Sequence, residues 1–243
     1  MKRMLIVLGV LALMPVAAQA DNVSFTGTGL GVTGFNAAYS NTTGSPANYS
    51  YGYFAGQLKL NGAAAYPNQI VAGYCLDFFD YLYSPEAMAE WAIGDYPGTP
   101  GDAPPNAVPG AGPKIGYLME HYYNAAAADP TGVGAGALQF AIWEVAFEDS
   151  TAGYGLGSGW FTVAASDSAS VAAARTLANT WLSGVTSDST GDALWLDVVD
   201  TYPLQNGGQD FTVPVPVPEP ASMLLLGSGL IGLAGVARRR FRK

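Results

Sequence analysis

Two side chains in this chain of 243 residues could react with each other: the thiol of Cys75 and the side-chain amide of Gln139. Cys75 is the only cysteine, so the chain cannot form an internal disulfide. Gln139 lies in residues 136–144, an almost entirely apolar stretch that predicts a buried helix. A buried amide without hydrogen bonds costs on the order of 1–3 kcal/mol. A thiol that attacks this amide and expels ammonia would leave a thioester between Sγ and Cδ.

Cys75 and Gln139 are also compatible with unreactive roles and with a different reaction. A strand edge or a water could satisfy Gln139, and Cys75 could be a core residue or part of an intermolecular disulfide. A cysteine hydrolase would instead pair Cys75 with His121, which is the only histidine. Helical spacing places His121 beside the Leu118 edge of an apolar stripe, which favours a boundary or solvent-facing position.

Charge and spacing argue against several other functions. Between Asp21 and Glu219 there are 19 acidic residues and three basic ones, Lys59, Lys114 and Arg175, a net charge of −16. Such an acidic body repels nucleic acid. Asp77, Asp80 and Glu86 do not have the spacing of an EF-hand loop. No zinc pattern, phosphate-binding glycine loop or nucleophile elbow is present, so neither a metal nor a cofactor is predicted.

The first part of the body predicts strands. Residues 54–60 alternate in the manner of a half-buried strand, and Asn61-Gly62 predicts a hairpin turn after it. Residues 69–76 predict a buried strand that ends at Cys75. Residues 193–202 and 211–215 predict closing strands, with a turn at Asn206-Gly207 between them.

Four helices are predicted between these strands. The first begins at Ser84-Pro85-Glu86 and runs to about Ile93, the second begins at Pro113 and stops at Asp129-Pro130, the third covers 136–147 and the fourth 168–182. The second carries an apolar stripe of Ile115, Leu118, Met119 and Tyr122, and the fourth one of Val171, Ala174, Ala178 and Trp181. The order of elements predicts an α+β domain over 21–212, a β-sandwich or barrel-like sheet with an inserted helical subdomain.

The two ends of the chain predict export. Residues 1–20 have the charged, apolar, small-x-small order of a secretory signal peptide, with cleavage expected after Ala20. Residues 213–220 predict a stiff, proline-rich linker. Residues 221–243 predict a single transmembrane tail helix followed by a basic end, which the positive-inside rule keeps in the cytoplasm.

The C-terminal end closely resembles the PEP-CTERM sorting signal of Gram-negative bacteria. The resemblance rests on Pro218-Glu219-Pro220, the short apolar helix and the cluster Arg238-Arg239-Arg240. It implies anchoring in the inner membrane, recognition by an exosortase-type sorting protease, and release or re-anchoring at the cell surface or in the extracellular matrix. Such tails occur on many kinds of exported protein, so the tail implies an address and no activity.

Two segments of the body resemble the thioester domains of bacterial surface adhesins. These segments are Tyr74-Cys75-Leu76-Asp77 and Leu138-Gln139-Phe140-Ala141-Ile142-Trp143. The resemblance implies that Cys75 donates the sulfur and Gln139 the acyl group. The bond survives only where water is excluded, and the predicted surround of the pair is Tyr74, Asp77, Phe78, Phe140 and Trp143.

Together these features predict an exported surface or extracellular-matrix protein that attaches covalently to a partner. The partner would carry a nucleophile, either a protein amine or a polysaccharide hydroxyl. The protein would react once without turnover and would therefore not be an enzyme. The alternatives are a non-catalytic matrix or ice-binding structural protein with an inert cysteine, and an exported cysteine hydrolase that uses Cys75 and His121.

Overall fold

The computed structural model describes residues 21–39, 54–78, 85–98, 107–148, 153–166, 168–198, 208–216 and 228. These residues form a mixed α and β structure with a large antiparallel sheet and three α-helices, which confirms the predicted mixture of strands and helices. The predicted signal peptide, the Pro-Glu-Pro motif and the predicted tail helix lie outside the described residues, apart from Ser228. Among the residues described, no helix combines the length and the apolarity needed to cross a membrane.

Six strands close into an antiparallel barrel in the order β1-β3-β4-β8-β7-β5. Closure gives each of these strands a paired neighbour on both sides over at least part of its length. A separate two-stranded sheet pairs β2 with β6. The strands are β1 (Asp21–Thr33), β2 (Ala37–Tyr39), β3 (Phe54–Asn61), β4 (Ile70–Cys75), β5 (Glu86–Ala92), β6 (Phe161–Val163), β7 (Leu194–Val198) and β8 (Phe211–Val213).

The three helices are inserted in the chain between β5 and β7. They are α1 (Ala111–Ala128), α2 (Val133–Phe147) and α3 (Ala169–Leu182), and a short 3₁₀ helix, Ile93–Asp95, follows β5. Helix α2 is the central one, because it packs against α1, α3, β1 and β3. Almost all of its side chains are buried, as its apolar sequence predicts.

Two apolar cores meet at the end of β4. The smaller core fills the barrel and includes Leu58, Leu60, Val71, Phe211 and Val213. The larger core surrounds α2 and continues into α1, α3 and the outer side of the barrel. Cys75, the last residue of β4, is half-buried and packs against both cores.

The predicted helix over residues 84–93 is wrong, because residues 86–92 form strand β5 instead. This segment is rich in good helix formers, yet it pairs antiparallel with β7 from Met88↔Val198 to Ala92↔Leu194. On its other side it pairs with β1, which completes the barrel. The hydrogen bonds of two neighbouring strands outweigh a helix propensity that amounts to tenths of a kcal/mol per residue.

Several smaller predictions also need correction. Strand β3 is not half-buried, since Ala55 and Gln57 are buried along with Leu58 and Leu60. Helix α2 covers the face that was predicted to meet solvent. The connection after Asn61 is a loop of residues 62–69 and not a two-residue turn. The sequence did not predict the short β2–β6 sheet.

The remaining predicted elements agree with the structure. Helices α1, α2 and α3 are confirmed, with starts within three residues of the predicted ones, and β4, β7 and β8 lie within their predicted ranges. The stripe residues Ile115, Leu118 and Met119 of α1 are buried, as are the four stripe residues of α3. Tyr122 is half-buried. The predicted turn at Asn206-Gly207 lies outside the described residues.

Candidate functional site

The side-chain amide of Gln139 lies directly against the main chain of Cys75. Gln139 Oε1 accepts a hydrogen bond from the Cys75 N–H, with an N···O distance of 3.0 Å. Gln139 Nε2 donates to the Cys75 carbonyl oxygen at 2.8 Å. The fold therefore brings together two residues 64 positions apart in the chain, and the amide is the group of Gln139 that makes the contact.

Gln139 fits there because the pairing of β3 with β4 stops short of Cys75. The last described pair of that ladder is Leu58↔Gly73. A continued register would place Gly56 opposite Cys75, but the described ladder contains no such pair. Helix α2 fills this gap, and the Gln139 amide takes the hydrogen bonds that a neighbouring strand would have made.

The other edge of β4 holds Cys75 in place. Cys75 and Phe211 are paired residues of β4 and β8. The next N–H, that of Leu76, donates to the Asp210 carbonyl oxygen at 2.9 Å. Because adjacent N–H groups on a strand point in opposite directions, the Cys75 N–H points away from β8 and toward α2.

Asp77 fixes the chain just beyond Cys75. Its Oδ2 accepts a hydrogen bond of 2.9 Å from the Asp210 N–H. Its main-chain oxygen accepts one of 2.8 Å from Gln209 Nε2. The carboxylate thus ties the end of β4 to the segment that enters β8.

The Cys75 thiol is strongly disfavoured as a thiolate. Burial raises its pKa well above the usual range, and the nearby negative charge of Asp77 raises it further. Because the thiolate is the nucleophilic form, such a cysteine is a poor general nucleophile toward molecules in solution. A sulfur of high pKa is also a poor leaving group, so a thioester formed there would resist hydrolysis.

Three residues of the predicted surround, Phe78, Phe140 and Trp143, form an aromatic group in the core around α2. The Trp143 ring, one helical turn beyond Gln139, contacts the Phe78 ring edge-on at a centroid distance of 5.0 Å. Phe140 lies 6.5 Å from Trp143 and 5.0 Å from Phe35, inside the α2 core. The Trp143 indole N–H is buried and has no hydrogen-bond partner among the described residues.

Tyr74 lies in the same core, next to α1 and β3. It is fully buried, and its hydroxyl accepts a hydrogen bond of 3.2 Å from Gln57 Nε2. Its ring meets that of Tyr123 on α1 edge-on at 6.2 Å. Tyr74 therefore anchors β4 against α1 and β3.

His121 lies on the exposed side of α1. Its Nδ1 is 2.9 Å from the Tyr117 carbonyl oxygen, and its ring stacks on that of Tyr117 at 4.0 Å. Within the part of the chain that the structure describes, no hydrogen bond joins His121 to Cys75. These contacts give the hydrolase alternative no support.

Comparison with known proteins assigns the C-terminal end. Residues 216–240 match the family model of the PEP-CTERM protein-sorting motif. The chain carries a PEP-CTERM motif. No curated protein and no solved structure matches the chain.

The PEP-CTERM motif indicates an exported protein that an exosortase recognises, processes at the membrane and passes to the surface or the exterior. The match covers the predicted motif Pro218-Glu219-Pro220 and the arginines 238–240, whose positions lie outside the described residues. It does not extend into residues 21–212, so the chemistry of the body rests on the site geometry.

Sequence reasoning missed two buried acids, Glu144 in the last turn of α2 and Glu148 directly after the helix, which are 0% and 3% exposed. Glu144 Oε1 accepts a hydrogen bond of 2.6 Å from the Gly155 N–H, and Glu148 Oε2 accepts one of 3.1 Å from the Phe161 N–H. Together they fasten the segment after α2 onto the helix. Glu144 carries the same sequence signal as Gln139, since both are polar residues in a buried apolar helix.

Proposed function

We propose that this exported protein attaches covalently to a partner through an internal thioester between Cys75 Sγ and Gln139 Cδ. The observation that carries the proposal is the pair of hydrogen bonds, 3.0 and 2.8 Å long, between the Gln139 amide and the main-chain N–H and carbonyl of Cys75. They hold the reacting amide against the residue that carries the only thiol of the chain.

The proposed reaction forms one bond and breaks another. Sγ attacks Gln139 Cδ, the C–N bond breaks, and ammonia leaves with the thiol proton. A nucleophile on the partner later attacks Cδ and forms an amide or an ester. The C–S bond breaks, and the sulfur takes the proton of the nucleophile to regenerate the Cys75 thiol. The hydrogen bonds that hold the Gln139 amide against the Cys75 main chain support the proposal, because this unimolecular step requires proximity.

The PEP-CTERM motif supports a role at the cell surface or in the extracellular matrix of a Gram-negative bacterium. There, one covalent attachment per molecule is sufficient and no turnover is needed. The partner is a molecule with an accessible amine or hydroxyl, such as a surface protein or a polysaccharide. Before it is processed, the protein is anchored in the inner membrane.

The deciding experiment is the intact mass of the purified body, residues 21–217, under non-reducing conditions. We expect a deficit equal to one ammonia, and we expect methylamine to convert this species into a single adduct. Both Cys75→Ala and Gln139→Ala should abolish the deficit and the adduct. Amine incorporation in either variant would contradict the proposal.

Two matched variants control this experiment. Gln57→Ala removes another buried glutamine, one that bonds Tyr74 and not Cys75, and should retain the mass deficit. His121→Ala should react with methylamine at the same rate as the native chain. A loss of reactivity in His121→Ala would favour the hydrolase alternative.

A second candidate is a non-catalytic matrix protein in which Cys75 is inert. Two observations favour this candidate. The Gln139 amide already makes one hydrogen bond at each polar atom, so its burial needs no further explanation. Burial also raises the pKa of the Cys75 thiol, which disfavours the nucleophilic thiolate. In this case the body has its full mass, and an alkylating reagent labels Cys75 once the chain is unfolded.

A further inference from the structure

We propose that the main chain of Cys75 promotes the thioester chemistry, by stabilising the oxyanion through its N–H and the departing nitrogen through its carbonyl oxygen. The inference rests on the proposed function and assigns the groups that lower its barrier. The two hydrogen bonds to Gln139 are the observations from which it follows.

The N–H of Cys75 points at the atom on which negative charge develops. When Sγ adds to Cδ, the carbonyl π electrons move onto Oε1, which already lies 3.0 Å from the Cys75 nitrogen. A hydrogen bond to an ionised acceptor is roughly twice as strong as one to a neutral acceptor. The bond is therefore stronger in the transition state than in the ground state, which is the condition for catalysis.

The carbonyl oxygen of Cys75 acts on the other side of the same amide. Gln139 Nε2 donates to it at 2.8 Å. As the C–N bond breaks, this nitrogen takes up the thiol proton and becomes transiently positive before it leaves as ammonia. Its hydrogen bond to the carbonyl then becomes charge-assisted. When a partner amine opens the thioester, its nitrogen occupies the same position beside the Cys75 carbonyl oxygen.

The rigidity of the barrel preorganises both groups. The paired residue Phe211 on β8 and the Leu76 N–H bond to Asp210 hold the far edge of β4. The near edge at Cys75 has no β3 partner in the described ladder, so its N–H and carbonyl face α2. Dipoles that are already oriented need no reorganisation when the charge appears.

The test replaces the peptide bond between Tyr74 and Cys75 by an ester, which removes the Cys75 N–H and leaves every side chain in place. We expect the loss of ammonia and the methylamine reaction each to slow about 100-fold, the usual effect of removing one oxyanion donor. The urea midpoint of the ester chain, compared with that of the native chain, shows that the ester chain is folded. Native rates in the folded ester chain would overturn the inference.

A second measurement examines the contact without the chemistry. In Cys75→Ala, Gln139 keeps its amide, and both hydrogen bonds to the main chain at position 75 should persist. We expect NMR to show slow hydrogen exchange of the main-chain amide at position 75 and of the Gln139 side-chain NH₂. Adding Gln139→Ala should remove the protection at position 75. Fast exchange at both groups in Cys75→Ala would overturn the inference.

These results separate the inference from the proposed function. A native chain with full mass and a free thiol overturns the thioester, and the inference falls with it. A mass deficit that forms at the native rate in the ester chain leaves the thioester standing and overturns only the role of the Cys75 N–H as the oxyanion donor.

Discussion

Among single residues, Glu144 combines complete burial with an ionisable group. Burial raises its pKa to about 8, the Gly155 N–H partly opposes this shift, and the charge of Glu148 adds to it. Its Oε2 is buried with no hydrogen-bond partner among the described residues. Around neutral pH the folded protein therefore favours the protonated acid, whereas the unfolded chain ionises it.

The stability of the protein should consequently fall as pH rises from about 4.5 to about 8. Over this range the unfolded state has lost the proton and the folded state retains it, which changes the unfolding free energy by about 1.4 kcal/mol per pH unit. Below this window both states are protonated, and above it both are ionised. Glu144→Gln cannot ionise, so relative to its parent it should gain about 3 kcal/mol of unfolding free energy between pH 5 and pH 8.

Urea unfolding at the two pH values measures this difference. The Cys75→Ala background is suitable, because opening of a thioester then cannot contribute. Glu120→Gln is the matched control, since Glu120 is exposed on α1 and its replacement removes the same charge. Equal pH dependence of Glu144→Gln and its parent would show that Glu144 ionises normally.

Among the elements, α1 depends on a close approach that only glycine allows. A Cβ added at Gly116 would lie 1.9 Å from the Gly191 carbonyl oxygen, well inside van der Waals contact. This contact holds α1 against the segment that leads into β7, and β7 closes the barrel through β5 and β8. A side chain at position 116 would therefore push α1 and the segment that contains Gly191 apart.

Gly116→Ala should destabilise the protein by about 1–3 kcal/mol, as overpacking does. Helix propensity alone would predict that Gly116→Ala gains up to about 1 kcal/mol of stability. The sign of the measured change in stability therefore shows which of the two effects is larger. Gly94→Ala is the control, because a Cβ there meets no atom within 4 Å. Thermal unfolding of both variants measures the effect, and a more stable Gly116→Ala would rule out the tight contact.

On the scale of the whole molecule, the barrel joins the candidate site to the sorting tail. Strand β8 pairs with Cys75 through Phe211 and ends at Val213, and the PEP-CTERM match begins at residue 216. Only two residues separate the end of the barrel from the sorting motif. A pull on the tail would therefore be transmitted through β8 to the strand that carries the cysteine.

Glu219→Ala should block processing, because it removes the acidic residue of the Pro-Glu-Pro motif. We expect the full-length chain to accumulate in the membrane fraction of the native host. Its intact mass should show that the tail is still attached. Val215→Ala, one residue before the matched motif, should be processed normally. Normal release of Glu219→Ala would show that recognition does not use the motif.

Features that local patterns encode can be predicted from the amino-acid sequence alone. The three helices, four of the barrel strands and the sorting motif follow from periodicity, capping and composition over short windows. Cys75 and Gln139 also stand out at this level, because a lone thiol and a buried amide are unusual residue types in such surroundings. The thioester between them stays a prediction.

Features that depend on residues distant in the chain become visible only in the tertiary structure. Residues 86–92 form a strand because β1 and β7 pair with them, although their composition favours a helix. Gln139 meets Cys75 because the β3–β4 ladder ends early and α2 fills the gap. Local propensity amounts to tenths of a kcal/mol per residue, whereas pairing and burial act over the whole fold, so the distant partners prevail wherever the two conflict.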